Sequence, residues 1–515
     1  MIQATTPLYP GIHAKTQGDK FAYQMAASGK TVTYQQLNDA SNRGAHLFRH
    51  YGLVPGDGVA LLLNNDENYL KITWAAQRSG LYYTPISILF QPGEIHYILK
   101  NSDVKILVTR QEYLDKLIPE ELQDIHVFLI DGETVAAPNW HRALSAFPSS
   151  PVVDECEGAE MIYSSGTTGV PKGVRFPLRR APMGTVSTLF TTRVKLHNVS
   201  ADTRYLSTAP LYHSAPLRYN MMVTRLGGTA TIMEKFDPET ALALIQRDDI
   251  THSQWVPTMF VRMLKLPEQT RLAYDVSSLE YVIHAAAPCP IDIKQKIIDW
   301  FGPKLYEYYS GTEANGSTAI TTEEWLTHKG SVGKAIHGEL RILDDAGAEV
   351  PNGEIGTVYF ANGSDFSYYK DPEKTAQAKN KAGWSTLSDM GYVDDEGYLY
   401  LRDRKLFMII SGGVNIYPQE TENILINHDL VADVAVFGVP NDEFGEEVKA
   451  VVELLDPALA SEDLAVELIK YCRQSISHVK CPKSIDFIEQ LPRHPTGKLY
   501  KRKLRDSYWS SEAKI

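Results

Sequence analysis

Short apolar runs alternate with amphipathic helical patterns through the first half of the chain, and this alternation restricts the fold more than any other feature. Strand-like runs occur at Gly58–Asp66 and Val104–Thr109 and recur at Thr229–Met233 and Tyr281–Pro288. The intervening stretch Glu67–Gly80 has helical periodicity and ends on glycine. Such alternation predicts an α/β fold, with helices packed on a largely parallel sheet.

The pattern changes near Gly330. From there short alternating strands are interrupted by Asp-Asp, Ala-Gly and Asn-Gly turns, which predicts a small antiparallel sheet or barrel over residues 330–402. A charged segment follows at 403–407, and we interpret it as a hinge. Strands and helices alternate again in residues 408–515, where Ser461 is predicted to be the N-cap of an amphipathic helix.

Composition argues against several classes of function. The chain has 515 residues with a net charge of −12, which disfavours general binding to nucleic acid or anionic membranes. Its four cysteines form no C-x-x-C pair and have no metal-ligand spacing, a usage typical of a reducing compartment. No secretory signal is visible, and no apolar run approaches the ~20 residues that span a bilayer. We therefore expect a cytoplasmic protein without integral membrane association.

The stretch SSGTTGVPKG, Ser164–Gly173, is the most conspicuous local motif. Glycines let backbone N–H groups approach an anion, hydroxyls add donors and a lysine adds charge, so phosphate is the natural ligand. The Walker template does not fit, because Pro171 stands where its second glycine belongs and Gly173 follows Lys172. A plain surface linker is the alternative on composition alone.

Four further motifs carry residues suited to catalysis. They are PLYHSAP with His213, YYSGTEA around residues 308–314, SDMGYVDDEGYLYLRDR with Asp389 and Arg404, and LPRHPTGK with Lys498. Each taken singly has a structural explanation: a satisfied histidine, a core tyrosine, a surface ion pair or a solvated basic tail. Their order and spacing along the chain favour a functional set.

With SGGVNIYP, these motifs resemble those of the adenylate-forming superfamily of acyl-CoA synthetases, which also includes adenylation domains of peptide synthetases and beetle luciferases. The resemblance covers essentially the whole chain. It implies a large N-terminal domain, residues 1–402, of two α/β subdomains and a small distorted β-barrel. A hinge containing Lys405 and Leu406 and a small mobile C-terminal α+β domain, residues 408–515, would follow.

The resemblance implies ATP, Mg²⁺ and coenzyme A as the cofactors and co-substrates. It assigns the β- and γ-phosphates of ATP to the glycine-rich loop, namely Ser164, Ser165, Gly166, Thr167, Thr168 and Lys172. Thr312 would contact the α-phosphate, and Glu313 would bind Mg²⁺, which offsets the charge that builds up as pyrophosphate leaves.

The adenosine half of the nucleotide is assigned by the same resemblance. Tyr309 would stack on adenine, Asp389 would accept hydrogen bonds from the ribose hydroxyls, and Arg404 would add a second ribose contact. The adenine segment is often rich in glycine in this family, whereas here it is HAAAP. Alanine permits close approach to adenine only if its φ is negative, so contacts from Ala286 and Ala287 depend on their backbone conformation.

Lys498 matches the family's catalytic lysine, which bridges carboxylate and α-phosphate during adenylation. The resemblance implies that the C-terminal domain then rotates, and that Gly412 and Gly413 would line the pantetheine tunnel. His213 matches a residue that gates or positions the acyl group. The hinge departs from the family pattern, because Leu406 and Phe407 occupy positions that usually carry charge.

The acid is only broadly determined. By the same resemblance its pocket is walled by mostly apolar side chains, which favours an aliphatic, aryl or alicyclic acid: Trp255, Val256, Met259 and Ala314. Ser214 replaces the aspartate with which amino-acid-activating relatives bind an ammonium group, which counts against an amino acid substrate. Arg218 has two interpretations, a contact with a second polar group of the substrate or a structural ion pair.

The acyl acceptor and the partners are less determined. Coenzyme A is favoured because the chain has no attached carrier domain, but a separate carrier protein is the alternative acceptor. The terminal Lys501, Arg502, Lys503 and Arg505 suit either CoA phosphates or a solvated tail. A catalytically inactive nucleotide-binding relative is a further alternative, and no feature favours luciferase-like chemistry. The oligomeric state is left open, a homodimer included.

Overall fold

The computed structural model describes residues 7–164, 171–404, 407–493 and 499–509, with Ser164 described by its backbone alone. The strands are β1 Phe21–Met25, β2 Thr31–Thr33, β3 Gly58–Leu62, β4 Tyr82–Pro85, β5 Val104–Thr109, β6 His126–Leu129, β7 Ala159–Ser164, β8 Lys172–Arg175, β9 Arg204–Ser207, β10 Thr229–Ile232, β11 His252–Trp255, β12 Tyr281–His284, β13 Leu305–Ser310, β14 Ser317–Thr321, β15 Lys334–His337, β16 Glu339–Leu343, β17 Gly356–Ala361, β18 Ser367–Tyr368, β19 Ser385–Val393, β20 Leu399–Arg404, β21 Ile409–Ser411, β22 Val414–Ile416, β23 Val431–Asn441, β24 Gly445–Leu454 and β25 Ser484–Ile488.

The helices connect these strands and pack on the sheets. They are α1 Pro10–Gln17, α2 Tyr34–His50, α3 Tyr69–Arg78, α4 Pro92–Asn101, α5 Gln111–Leu114, α6 Trp140–Leu144, α7 Thr188–Leu196, α8 Ser214–Leu226, α9 Pro238–Arg247, α10 Pro257–Leu264, α11 Glu268–Leu272, α12 Ile291–Phe301, α13 Thr322–Thr327, α14 Pro372–Gln377, α15 Pro418–Leu425, α16 Glu462–Arg473 and α17 Lys501–Trp509. Within the described ranges, no helix is both long enough and apolar enough to cross a membrane.

The chain divides into two compact units. The first takes the described residues of 1–254, 269–282 and 365–375, and the second takes those of 255–268, 283–364 and 376–515. The segment 365–375 therefore belongs to the first unit, although its neighbours in sequence on both sides belong to the second. The predicted division at residues 403–407 stays a prediction, and Lys405 and Leu406 lie outside the described residues.

The first unit contains a seven-stranded sheet with the order β18-β8-β7-β4-β3-β5-β6. Strands β7, β4, β3, β5 and β6 are parallel, whereas β8 and β18 are antiparallel to their neighbours. Every residue of β3 is buried, because helices cover both faces of a parallel sheet. A second run of strands in this unit, β11-β9-β10-β1, is also parallel and ends on antiparallel β2.

The second unit is built mainly from antiparallel strands. Strands β13, β14 and β15 pair in sequence, and β16-β17-β19-β20 form a four-stranded antiparallel sheet. Its apolar core includes Val358, Phe360 and Leu399. In the C-terminal part, β22-β21-β24-β23 form a sheet in which β25 pairs parallel with β24.

Several sequence predictions are confirmed. Strand β5 has the predicted bounds Val104–Thr109, and the Oγ of Ser461 caps α16 by accepting from the Leu464 N–H. The predicted antiparallel region after Gly330 is present, but it is not one sheet, because β15 pairs with β14 and β18 pairs with β8. Closure of the region into a barrel stays a prediction.

Candidate active site

Asp389 and Arg404 are brought together by the pairing of two antiparallel strands. They lie directly opposite each other in the register of β19 and β20. Arg404 Nε donates to Asp389 Oδ1 at 3.1 Å. Burial alone would lower the pKa of Arg404, but the Asp389 carboxylate, together with Tyr309 and Glu313, raises that pKa above its ordinary value. The guanidinium therefore stays charged next to a nearly buried carboxylate.

Tyr309 joins this pair from the end of β13. Its hydroxyl donates to the second carboxylate oxygen, Asp389 Oδ2, at 2.6 Å. Burial raises the pKa of Tyr309 well above its ordinary value, and Asp389 raises it further, so the phenol remains a donor. The three residues predicted to bind adenosine, Tyr309, Asp389 and Arg404, thus form one hydrogen-bonded group.

Thr312 and Glu313 lie in the turn between β13 and β14. Glu313 is buried, with 7% of its surface exposed. The turn is tightly packed: a Cβ on Gly311 would lie 2.8 Å from Glu313 Oε2, and one on Gly316 would lie 2.0 Å from the Phe360 ring. The Phe360 ring leaves no room for a side chain at position 316, so the turn requires glycine there.

The alanine segment after β12 has an unusual backbone. Ala286 has a φ of 77°, in the left-handed region that favours glycine. Behind it, the buried Lys294 Nζ pairs with Glu307 Oε2 at 2.6 Å, and His284 Nε2 lies 3.7 Å from the same oxygen. This buried group connects β12, β13 and α12. Ala287 is partly buried and has no positive φ.

The predicted phosphate loop is described only at its edges. Ser165, Gly166, Thr167 and Thr168 lie outside the described residues, as does the side chain of Ser164. Ser164 and Lys172 pair across antiparallel β7 and β8, so the loop connects two adjacent strands. The Lys172 ammonium lies over the Tyr368 ring, 5.0 Å from its centroid.

His213 and Arg218 lie at the start of α8 in the first unit. His213 occupies the N-cap position and packs against the Tyr212 ring at 4.7 Å. Arg218 Nε donates to Glu160 Oε1 at 2.7 Å. Arg218 therefore makes a structural ion pair, as one of its two predicted interpretations requires.

The four predicted pocket residues are all buried parts of the second unit. Trp255, Val256 and Met259 surround the start of α10, and Ala314 lies in the turn after Glu313. Trp255 also packs near Phe260, with ring centroids 6.0 Å apart. These side chains are apolar, as expected for the predicted pocket. Their contact with a substrate stays a prediction.

The C-terminal residues fall into three groups. Gly412 and Gly413 form the two-residue turn between β21 and β22, and both have a positive φ, as such turns require. Lys498 lies outside the described residues. Lys501 is buried, and its ammonium pairs with the Glu422 carboxylate at 2.8 Å. Neither predicted role, a contact with CoA phosphates or a place in a solvated tail, therefore fits Lys501.

The sequence reasoning missed two aromatic neighbours of the predicted site. Phe360 stacks on Tyr309 with centroids 6.3 Å apart, and Tyr368 lies against Lys172. In both pairs the two residues lie far apart in the sequence, so no short motif contains both of them. The glycine at 316, which makes room for the Phe360 ring, is the only signal in the sequence for the first of them.

Comparison with known proteins accounts for most of the chain. Residues 12–369 match the family model "AMP-binding enzyme", and residues 420–498 match "AMP-binding enzyme C-terminal domain". The long-chain-fatty-acid–CoA ligase FadD13 of Mycobacterium tuberculosis is 31% identical over 95% of this chain and 95% of its own. The fatty acid–[acyl-carrier-protein] ligase ScoC of Streptomyces coeruleorubidus is 30% identical over 94% of this chain and 93% of its own.

A solved structure has the same overall fold as this chain. The ATP-bound crystal structure of MatB from Rhodopseudomonas palustris superimposes with a TM-score of 0.81 at 26% identity, covering 97% of this chain and 99% of MatB. The predicted mixed α/β fold, with a large N-terminal part and a small C-terminal part, is therefore confirmed.

Proposed function

The chain belongs to the AMP-binding enzyme family, and from this premise we propose that it joins an apolar carboxylic acid to coenzyme A through an acyl-AMP intermediate. Family membership confirms the predicted class, an AMP-forming acid–thiol ligase that uses ATP and coenzyme A. The observation that carries the proposal is the hydrogen-bonded group of Tyr309, Asp389 and Arg404.

The reaction has two halves. The carboxylate oxygen attacks the α-phosphorus of ATP, the bond to the β-phosphate breaks, and acyl-AMP and pyrophosphate form. The CoA thiol then attacks the acyl carbon, loses its proton and displaces AMP. Tyr309, Asp389 and Arg404 would hold the adenosine in both halves, because Asp389 can accept from ribose hydroxyls while Arg404 stays charged beside it.

The phosphates of ATP would be bound by Lys172, by Thr312 and by the hydroxyls and backbone of the loop 164–168. Mg²⁺ is general for this family, and Glu313 would hold it together with the phosphates. The residues fit that role: Mg²⁺ is commonly bound by one or two carboxylates plus substrate phosphates, and the described ranges hold no cluster of three or more His, Cys, Asp or Glu for a cage made of protein alone. The bound ion would offset charge on the departing pyrophosphate.

Lys498 would place its ammonium between the carboxylate and the α-phosphate in the first half-reaction. Rotation of residues 408–515 about Lys405 and Leu406 would then exchange it for the Gly412–Gly413 turn, which presents backbone without side chains to the pantetheine arm. His213 would position the acyl group.

The substrate class follows from the buried apolar side chains of Trp255, Val256 and Met259. An aliphatic chain or an aromatic ring would pack against such an apolar pocket wall. A small polar acid would instead leave its own polar groups without hydrogen-bond partners. The fatty acid named for FadD13 agrees with this class.

A carrier protein is the second candidate acceptor. The observation that favours it is the likeness to ScoC, whose name gives an acyl-carrier protein as the acyl acceptor. The two candidates share the adenylation half and differ in the thiol alone.

Pyrophosphate release from Mg·ATP, measured across fatty, aryl, alicyclic and small polar acids with and without CoA, tests the proposal. We expect acid-dependent release with an apolar acid and a CoA-dependent thioester. Lys498→Ala should abolish release, whereas Lys470→Ala, an exposed lysine on α16, should not. Acyl-AMP that accumulates despite CoA would favour the carrier protein. Release with small polar acids alone would contradict the apolar class.

A further inference from the structure

Strand β8 carries Lys172 as its first residue and is covered on one edge by a very short strand. Strand β18 pairs antiparallel with β8, with Ser367 opposite Arg175 and Tyr368 opposite Val174. The next residue extends the pairing, because the Tyr369 N–H donates to the Gly173 carbonyl at 2.8 Å. The backbone leaving the phosphate loop is thus bonded to a segment almost two hundred residues later in sequence.

The two faces of β8 have different surroundings. Lys172 and Val174 share one face, because side chains alternate along a strand, and Tyr368 lies on that face as the partner of Val174. Lys172 is its diagonal neighbour, a position within reach of aromatic and long side chains. The ammonium lies 5.0 Å from the centroid of the Tyr368 ring, which is itself 7% exposed.

The other face prevents β8 from shifting. A Cβ on Gly173 would lie 2.8 Å from the Tyr163 ring and 2.9 Å from Met161 Cε. The Arg175 guanidinium lies between two rings, 4.0 Å from the centroid of Tyr82 and 4.4 Å from that of Tyr369. Because these contacts hold the backbone of β8, the conformation of the Lys172 side chain depends on its contacts on the opposite face.

Tyr368 is itself held in place. Its N–H donates to Thr375 Oγ1 at 3.0 Å, and Phe366 packs edge-on against its ring at 5.4 Å. The next residue, Tyr369, is anchored as well. Its hydroxyl donates at 2.7 Å to Asp103, which lies between α4 and β5. The Asp371 carboxylate of this segment pairs with Lys374 at 2.9 Å.

We propose that Tyr368 is a positioning residue for ATP binding, whose ring holds the Lys172 ammonium where the phosphates of ATP arrive. This inference rests on the proposed role of Lys172 in phosphate binding. A ring face attracts a cation without a formal negative charge, so it orients the lysine and does not neutralise the charge that phosphate requires. The ring acts through Lys172 and touches no reacting atom.

Binding of Mg·ATP to the full chain, measured by isothermal titration calorimetry, tests the inference without knowledge of the acid. Tyr368→Leu should weaken ATP binding about tenfold, whereas Tyr368→Phe, which keeps the ring, should stay within about twofold. Phe128→Leu is the control, since it removes a buried ring from the same unit, one that packs on Tyr51 and Trp140 and not on Tyr368. It should lower the unfolding temperature without changing the Kd for ATP.

A double-mutant cycle separates positioning from general damage. In the background of Lys172→Met, Tyr368→Leu should add less than about twofold to the Kd, because the ring then has no ammonium to place. Equal effects in both backgrounds, or no effect of Tyr368→Leu at all, would overturn the inference. If Tyr368→Leu does not fold, Tyr368→Met removes the ring at nearly unchanged volume and gives the same comparison. Unchanged ATP binding in Lys172→Met alone would instead refute the phosphate role proposed for Lys172, and this inference with it.

Discussion

Asp389 and Arg404 face each other across adjacent antiparallel strands, and the guanidinium donates to the carboxylate at 3.1 Å. Tyr309 donates to the other oxygen of the same carboxylate at 2.6 Å. Asp389 is therefore the shared acceptor of two donors from different strands. Its charge orients both neighbours, which places it at the centre of the adenosine site that we propose.

We expect Asp389→Asn to raise the KM for ATP by about 10- to 100-fold, because an amide is a weaker acceptor and one of its ends is a donor that clashes with Arg404 or Tyr309. Steady-state kinetics with varied ATP checks this. Asp395→Asn, an exposed aspartate in the turn between β19 and β20, is the control and should leave the KM unchanged. An unchanged KM in Asp389→Asn would remove Asp389 from the nucleotide site.

Ala286→Gly should leave the protein as stable as the parent or stabilise it by up to about 1 kcal/mol, because the φ of 77° strains alanine and suits glycine. Ala287→Gly is the matched control, since Ala287 has no positive φ and its replacement should destabilise by about 0.4–1 kcal/mol. Urea unfolding of both variants measures the difference. A larger loss of stability for Ala286→Gly than for Ala287→Gly would contradict the strain.

Lys294→Met should destabilise the protein by about 3–5 kcal/mol, because it leaves the buried Glu307 carboxylate without its cation. Burial already raises the pKa of Glu307 against the opposing effect of Lys294, so the variant should lose more stability at high pH than at low pH. Urea unfolding at several pH values checks this. Lys296→Met changes an exposed lysine of the same helix and should have little effect.

The surroundings of Lys265 lead us to expect that the free energy of unfolding changes at alkaline pH. Among the described residues its buried Nζ has no hydrogen-bond partner. Burial lowers its pKa from 10.5 to about 8; Asp433 and Asp429 oppose the shift and Lys296 adds to it. Between these two values the unfolded chain binds more protons than the folded one, so this group makes stability rise as the pH increases through that interval.

Lys265→Met should therefore show a shallower rise of unfolding free energy with pH between about 8 and 10.5 than the parent protein. Unfolding by urea across this range measures the slope, and Lys470→Met on α16 supplies the comparison for an exposed lysine. Equal slopes in the parent and in Lys265→Met would show that the ammonium is solvated in the folded state.

Much of the fold follows from local patterns. The apolar run at Val104–Thr109 forms a strand with those bounds, and the helix after Ser461 begins at the predicted N-cap. The helix predicted within Glu67–Gly80 is shorter, Tyr69–Arg78, because its first residues form a turn in which Asp66 Oδ1 accepts from the Asn68 N–H. Periodicity and capping act over a few residues, so the sequence carries them directly.

Part of the candidate site was predictable for the same reason. The resemblance of their motifs to those of adenylate-forming enzymes predicts Tyr309, Asp389 and Arg404 as one set, and the structure brings them into contact. The sequence could not tell whether Ala286 has the negative φ that a close contact with adenine requires. In the structure its φ is 77°, so that condition is not met.

The sequence alone determined the family, the α/β class and the types of residue that handle a nucleotide, because short motifs and periodicity record these locally. The tertiary structure decided which distant side chains meet. It placed Tyr368 against Lys172, Phe360 against Tyr309 and Lys501 against Glu422. Such contacts arise from strand pairing and packing between segments far apart in the chain, where sheet register and burial, and no local pattern, select the partner.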